Sequence, residues 1–272
     1  MKQPRKHLLC LLLALWLTGV LLAGCAADTA DANADLPVIT VGCDNYPPFT
    51  YVNSDGKPVG IDVELADEAF RRMGYRPEFV TINWAEKNAL LENGVIDCIW
   101  SSFSMSGRAD EYTWAGPYMY SHQVVAVMPD SDIQTLADLA GKTVVVQATT
   151  KPESLFLDGN DPRIPEIRAL HSLQKRELIY SYLAKGYADA VAAHETSILQ
   201  FMKDYGVEFR ILEEPLEAVE LGVAFSRSDD RGIAQALSAT LEEMQADGTT
   251  RSILADYLAD PDKYLEADGY AD

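Results

Sequence analysis

The sequence has little cysteine, little positive charge and little histidine, and each shortage excludes a class of protein. Four cysteines in 272 residues are too few for a fold held together by disulfides. Its 22 Lys and Arg residues face 42 Asp and Glu residues, which argues against a nucleic-acid-binding protein because attraction to phosphates needs a basic surface. The histidines are too scattered for an HxxxH metal motif, and neither a nucleotide-binding loop nor a hydrolase serine elbow is present. We therefore predict no metal and no cofactor.

Long hydrophobic runs are confined to the N-terminus. Three basic residues within the first six precede an apolar run from residue 8 to 23, which is the pattern of a secretory signal and is short for a membrane-spanning helix. The run ends in Leu22-Ala23-Gly24-Cys25, which resembles a bacterial lipobox and implies cleavage before Cys25 and a lipid on its sulfur. The alternatives are a retained membrane anchor or a chance cysteine. We expect residues 1–24 to be a lipoprotein signal peptide.

The segment that follows Cys25 is predicted to be a tether. Residues 26–35 contain no large apolar side chain, so they cannot offset the entropy lost on ordering. No second hydrophobic stretch of spanning length follows. We therefore expect residues 25–35 to be a lipidated cysteine with a disordered linker. The rest of the protein is expected outside the cytoplasm, lipid-anchored to the cell membrane.

Two further cysteines, Cys43 and Cys98, lie in predicted strands. A free buried thiol is the default state of such a residue. An exported protein permits a disulfide, but the sequence alone does not bring the two residues together. The pairing stays open.

Strand and helix patterns alternate and predict two α/β units. Strand–helix–strand–helix–strand order is typical of a mostly parallel sheet with helices on its faces. The first unit is predicted from strands at 36–43, 77–82 and 96–101 with helices beginning at 61 and 85. The second is predicted from strands at 123–128, 143–147, 166–170 and 188–193 with intervening helices. A last strand at 220–225 and helices at 229–246 and 250–258 could belong to either unit.

Several segments resemble, in order, the amino-acid receptors of the type 2 periplasmic-binding fold. The first is Val41-Gly42-Cys43-Asp44-Asn45-Tyr46-Pro47-Pro48-Phe49, and the others lie at 56–66, 91–97, 104–108, 116–118, 139–150, 186–191 and 246–249. Together they span almost all of residues 36–258. The chain thus resembles the bacterial extracellular solute-binding proteins of family 3, which are substrate-binding components of amino-acid ABC importers.

This resemblance implies a two-lobed α/β fold in which each lobe is a mostly parallel sheet flanked by helices. Lobe 1 is expected to comprise residues 36–119 and 219–272, and lobe 2 residues 120–218. The ligand, a free amino acid, is expected in the cleft between the lobes, at the carboxyl ends of the strands. The implied partners are this amino acid, the membrane permease of an ABC importer and the membrane itself. We expect a monomer that does not bind nucleic acid.

The ligand carboxylate is expected to meet Arg108. A carboxylate needs a planar bidentate partner with hydroxyl and backbone donors nearby, and the preceding segment supplies three serines, Ser101, Ser102 and Ser104. The resemblance places Arg108 on the carboxylate, although the family usually has one more residue between the hydroxyl and the arginine. The alternative is a surface arginine paired with Asp110 or Glu111, which would leave the serines unexplained.

Thr149 and Thr150 lie at a strand-to-helix turn. Free N–H groups and hydroxyls at such a turn can face an anion, and the resemblance implies that they bind the same carboxylate from the opposite lobe. The alternative is helix capping, and both roles can coexist.

Two aromatic residues match family positions that face the ligand side chain. Trp84 begins a helix and Tyr46 lies in the first loop. Two aromatic faces can hold an aliphatic or cationic side chain between them. The alternative is packing in the core, which is the commoner fate of Trp.

His194 and Glu195 depart from the family pattern. Many members place an Asp five residues after the position of Asp189, where it accepts the ligand ammonium, and here His194 stands at that place. A neutral imidazole accepts one hydrogen bond, whereas a carboxylate also supplies charge. We therefore expect Glu195, or Asp44 after the first strand, to hold the ammonium. The alternative role of His194 is a polar cap at the start of the next helix. If neither Glu195 nor Asp44 holds the ammonium, the site points to a ligand that is not an ordinary α-amino acid.

Two other functions compete with amino-acid binding. One is a secreted dehydratase-like enzyme on the same fold, which would need a positioned acid, and Glu195 or His194 could serve. The other is a ligand-sensing receptor domain, which would require a second membrane span and a cytoplasmic module. The sequence favours binding without catalysis. It does not identify the amino acid, the importer or the type of cell envelope.

Overall fold

The computed structural model describes residues 35–266. The predicted signal peptide, the lipidation site Cys25 and all but the last residue of the predicted tether lie outside the described residues. No helix between residues 35 and 266 combines the length and the apolar character that crossing a membrane requires.

The described residues form two sheets. Their strands are β1 (Val38–Cys43), β2 (Tyr51–Val52), β3 (Pro58–Val59), β4 (Arg76–Thr81), β5 (Cys98–Ser104), β6 (Thr113–Val127), β7 (Thr143–Gln147), β8 (Ala169–Leu173), β9 (Ala190–His194), β10 (Arg210–Ile211) and β11 (Glu217–Phe225). In the large sheet the order is β4-β1-β5-β11-β6-β9-β7-β8, and β10 pairs with β6, whereas β2 and β3 form a separate hairpin.

The large sheet is parallel toward both edges and antiparallel in its middle. β1 pairs in parallel with β4 and β5, and β7 pairs in parallel with β8 and β9. Between them β11 and β6 run antiparallel to each other, to β5 and to β9. β5 and β7 are buried at every position, because strands in parallel regions are covered on both faces.

Seven α-helices lie within the described range. They are α1 (Ile61–Arg72), α2 (Lys87–Glu92), α3 (Lys151–Asp158), α4 (Arg176–Ala184), α5 (Glu195–Tyr205), α6 (Ile233–Ala246) and α7 (Thr249–Ala255). In α1 the apolar positions recur at helical spacing and are buried, while acidic residues occupy the first turn and Arg71 and Arg72 the last. This arrangement matches an amphipathic helix whose charges complement its macrodipole.

The apolar side chains form four buried clusters. Two of them draw only on residues 39–119 and 219–265. The other two draw only on residues 124–216. In the larger of the first pair, Leu237 of α6 and Leu254 of α7 pack with Leu65 of α1, so the C-terminal helices share a core with the first α/β unit.

Cys43 and Cys98 are free thiols, and both are buried. Burial, aided by the carboxylates of Asp62 and Asp44, raises the pKa of Cys43 to about 12. Burial likewise raises the pKa of Cys98. Since the thiolate is the reactive form, both side chains act as small apolar core residues.

Candidate functional site

A cleft lies where β5 and β9 end, beside β6 and the first turns of α3 and α4. It is lined by Trp84, Ser101, Ser102, Phe103, Ser104, Arg108, Gln123, Thr150, Lys151, Pro152, Arg176 and His194. The carboxyl ends of strands are the usual ligand-binding edge of an open α/β sheet. Seven of the predicted site residues belong to this lining, namely Trp84, Ser101, Ser102, Ser104, Arg108, Thr150 and His194.

Arg108 follows β5 through a short turn and is partly buried. Its Nη1 donates to the carbonyl of Ser104 at 3.2 Å, and its guanidinium lies 5.2 Å from the ring centroid of Phe103. Within residues 35–266 no ion pair to Arg108 is found, neither from Asp110 nor from Glu111. Burial lowers the pKa of Arg108, which is the expected effect on a cation removed from water. This guanidinium therefore retains donors for an anion.

The backbone of Ser102 is held in a left-handed conformation, with a φ of 49°. Its N–H donates to Oδ2 of Asp62 at 2.7 Å, and the hydroxyl of Tyr118 donates to Oδ1 at 2.8 Å. Asp62 is fully buried, and burial raises its pKa to about 7. The sequence did not predict that Asp62 would hold the backbone of Ser102, because its pattern is that of an ordinary polar residue in the first turn of α1.

The three predicted serines differ in their hydrogen bonding. Ser101 Oγ accepts the backbone N–H of Asp44 at 3.0 Å. The buried hydroxyls of Ser102 and Ser104 have no hydrogen-bond partner within the described part of the chain. Buried hydroxyls normally find partners, so these two side chains can bond a ligand in the cleft that they line.

The turn before α3 combines capping and cleft-lining residues. Thr149 has a φ of 58°, and its N–H donates to Oε2 of Glu153 at 2.6 Å. Lys87 Nζ donates to Thr149 Oγ1 at 3.2 Å. Thr150 precedes α3, and its hydroxyl donates to the carbonyl of Gln147 at 2.6 Å. The backbone amide of Thr149 is thus already hydrogen-bonded within the chain. Thr150 lies in the cleft lining, whereas Thr149 does not.

The two predicted aromatic residues occupy different places. Trp84 lines the cleft, with its ring edge-on to Phe103 at 5.3 Å between centroids. Tyr46 is fully buried and lies outside the lining. The guanidinium of Arg176 stacks 3.2 Å from the centroid of the Tyr46 ring. Arg176 therefore lies against Tyr46 and itself contributes to the cleft surface.

His194 ends β9 and is almost completely buried. Its Nε2 lies 2.8 Å from Nε2 of Gln123, and its Nδ1 lies 3.0 Å from Oγ of Ser121. Burial and then the positive charge of Arg176 lower the pKa of His194 to about 3. The imidazole is therefore neutral at physiological pH and brings no charge to the cleft.

Neither carboxylate predicted to hold an ammonium group lies in the lining. Glu195 begins α5 and pairs with Lys263 at 2.9 Å. Asp44 follows β1, accepts the side-chain amide of Gln147 at 2.7 Å, and lies 3.7 Å from Nε of Arg176. Both acids are thus engaged with other groups of the chain.

Sequence reasoning also missed Gln123, Lys151 and Arg176. Arg176 begins the helix after β8, so its place beyond the carboxyl end of a parallel strand is the signal that could have identified it. Gln123 is paired with His194 across β6 and β9. This proximity depends on the register of the two strands, which the sequence does not give. Within residues 35–266, no group of three His, Cys, Asp or Glu residues is arranged to hold a metal ion.

The sequence pattern that defines the bacterial extracellular solute-binding proteins, family 3, matches residues 39–260. The chain belongs to this family. In sequence, this family 3 protein is similar to the histidine-binding periplasmic protein of Salmonella typhimurium, with 32% identity over 230 residues that cover 81% of this chain and 87% of that protein. It is also similar to the glutamate-binding protein GluB of Corynebacterium glutamicum, with 27% identity over 275 residues, covering 92% of this chain and 90% of that protein.

Solved structures show the same fold. Tv2483 bound to L-arginine matches with a TM-score of 0.75 and 26% identity, over 82% of this chain and 91% of that chain. The type 2 periplasmic-binding fold predicted from the sequence is thereby confirmed. The family description also agrees with the predicted location outside the cytoplasm.

Proposed function

We propose that this family 3 protein binds a free amino acid in the cleft and delivers it to an ABC importer. The observation that carries the proposal is the guanidinium of Arg108, which lines the cleft without an ion-pair partner in the described residues. The unpartnered hydroxyls of Ser102 and Ser104 lie in the same lining. A guanidinium fork with hydroxyl donors suits a carboxylate. The relatives include histidine-binding and glutamate-binding proteins, which supports the proposal that this carboxylate belongs to an amino acid.

Binding is proposed to proceed by closure of two lobes, residues 36–119 with 219–272 and residues 120–218. This division is supported by the separate hydrophobic clusters on the two sides. Two contacts would hold the closed form, from Gln147 to Asp44 and from Lys87 to Thr149. A ligand that touches both lobes favours closure through the contacts that only the closed form makes. The protein would act as a monomer.

Lipid anchoring at Cys25 is also a proposal. We expect Cys25→Ser to abolish the incorporation of a labelled fatty acid into the protein, because a serine hydroxyl cannot carry the thioether-linked lipid. Cys43→Ser is the matched control, since that thiol is buried in the fold. Labelling of the Cys25→Ser protein at the level of the wild type would contradict lipid anchoring at Cys25.

A dehydratase-like activity is less compatible with the site. Glu195 is ion-paired with Lys263 outside the cleft lining. His194 has its pKa lowered to about 3, far from the value that suits proton transfer near neutral pH. Glu195 and His194 are thus poorly placed for acid–base catalysis, which supports binding without turnover.

A thermal-shift screen of the purified protein against the twenty amino acids tests the proposed function. We expect at least one to raise the melting temperature by several degrees at millimolar concentration, since a ligand present at 100 times its dissociation constant contributes about 2.7 kcal/mol. Calorimetry would then give the stoichiometry, expected to be one ligand per chain. A flat screen together with turnover of a carboxylated ring compound would favour the enzyme instead.

A further inference from the structure

The cleft lining is rich in positive charge. It contains Arg108, Lys151 and Arg176, and none of its twelve residues is acidic. Lys151 Nζ lies 3.2 Å from Oε2 of Glu217, so its charge is balanced within the chain. Two guanidinium groups remain. Arg108 has no ion pair within the described residues, and the ion pair that Arg176 has there is a long one, 3.7 Å to Asp44.

Arg176 is more deeply buried than Arg108. Its side chain is 8% exposed, and the nearest carboxylate oxygen, Oδ2 of Asp44, lies 3.7 Å from its Nε. That distance is too long for a hydrogen bond, and the same oxygen already accepts the amide of Gln147. Nε of Arg176 has no hydrogen-bond partner within residues 35–266. Because a buried guanidinium with an unused donor is unfavourable, an acceptor from a ligand would stabilise it.

The surroundings of Arg176 do not favour an ammonium group. His194 is uncharged and lies close enough to Arg176 for the guanidinium to help lower its pKa. Gln123 offers an unpartnered buried Oε1, which can accept one hydrogen bond but carries no net charge. Asp44, 3.7 Å from Arg176, compensates the charge of that arginine in part but lies outside the lining. The surface that faces the cleft here therefore carries positive and no negative groups, and it opposes a ligand with a cationic side chain.

We propose that the ligand carries a second acidic group, which Arg176 binds while Arg108 binds the first. The cleft then takes a small molecule with a carboxylate at each end. This inference rests on the proposed binding function and narrows it. A carboxylate at each end is found both in acidic amino acids and in dicarboxylates without an amino group.

Calorimetry on the purified protein separates these ligands. The acids are L-aspartate, L-glutamate, succinate and glutarate, and their matched comparisons are the amides L-asparagine and L-glutamine and the cationic L-arginine and L-histidine. We expect one of the acids to bind at least tenfold more tightly than its amide and than either cationic amino acid. A preference for L-glutamate over glutarate would show that the amino group is also recognised, and the reverse would identify a plain dicarboxylate.

Arg176→Gln tests the assigned residue. We expect it to weaken binding of the preferred acid at least tenfold and to bring the acid-to-amide ratio close to one. Arg163→Gln is the matched control, because Arg163 is paired with Asp161 at the surface and lies outside the cleft lining. Unchanged discrimination in Arg176→Gln would remove Arg176 from the acidic subsite.

The remaining outcomes distinguish this inference from the proposed function. Wild-type binding of an amide or a cationic amino acid within threefold of the best acid would overturn the acidic ligand class and leave amino-acid binding intact. Because this comparison uses the wild-type protein, it holds even if Arg176→Gln does not fold. Absence of binding by all eight probes and by the other amino acids would overturn both.

Discussion

Replacement of Arg108 by alanine is expected to abolish the thermal stabilisation that the ligand gives the wild-type protein. Truncating one partner of a buried charge pair typically costs 2–5 kcal/mol or more, so we expect affinity to fall by about 30-fold to several-thousand-fold. The ligand-free melting temperature should stay nearly unchanged, because no ion pair to Arg108 is found within the described residues. Thermal-shift and calorimetric titrations with the ligand from the screen would measure both quantities.

Two further variants make the Arg108 result interpretable. Arg71→Ala removes an arginine whose side chain is 56% exposed and pairs with Glu68, and it should bind ligand like the wild type. Arg108→Lys keeps the charge but loses the planar fork, so we expect intermediate affinity. Ligand-induced stabilisation of Arg108→Ala equal to that of the wild type would exclude Arg108 from the site.

The contribution of Asp62 to stability is expected to fall as the pH rises from about 4 to about 7. His194, whose pKa is lowered from 6.5 to about 3, contributes a change of opposite sign up to about pH 6.5, so the effect of Asp62 is read from a comparison of variants. Burial raises the pKa of Asp62 from 3.8 to about 7, so between these values the folded state holds a proton that the unfolded state has released. The contribution of this group is fully present below pH 4, and it is lost as the pH rises through the folded-state pKa. Since each pKa unit is worth about 1.4 kcal/mol, the loss amounts to at most about 4 kcal/mol.

Asp62→Asn should keep the fold and remove the falling contribution of Asp62, so that the stability of the variant rises more steeply, or falls less steeply, with pH than that of the wild type. An asparagine oxygen can accept the N–H of Ser102, and its amide can donate to the hydroxyl of Tyr118, which reproduces the contacts of the protonated acid. Urea unfolding at pH 5, 6, 7 and 8 would show the difference in slope. Asp55→Asn, at an exposed turn, is the control and should leave the slope unchanged. A wild-type slope in Asp62→Asn would assign the effect to another group.

The sequence predicted most elements of the fold, because their hydrophobic periods are regular and their ends are marked by glycine. It placed the strand at 123–128, whereas β6 begins at Thr113. The pair Gly116-Pro117 inside this strand predicts a turn, because proline has no N–H to donate to a neighbouring strand. In the structure the register of β6 with β11 shifts at this point, between Leu221 and Val223, and such an irregularity accommodates the proline.

The candidate site was predictable only in part. Arg108, the serines and His194 lie at or just beyond strand ends along the chain, and that position could be recognised from the sequence. The partners of Asp44 and Glu195 could not be recognised, since Gln147 and Lys263 are 103 and 68 residues away and only the folded chain brings them near. The position of Arg176 after β8 could be recognised in the same way, but its contact with Tyr46 and its unused Nε emerge only from the folded chain.

Ser102 and Thr149 share an arrangement that bears on the thermodynamics of capture. Each is a left-handed residue whose N–H donates to a carboxylate, that of Asp62 or of Glu153. Left-handed backbone is unfavourable for residues other than glycine and persists only where neighbouring contacts hold it. The two bends are therefore preorganised during folding. A solute bound in the cleft would meet a backbone already fixed at Ser102, and at Thr149 beside the lining, so its association would not have to freeze these two bends.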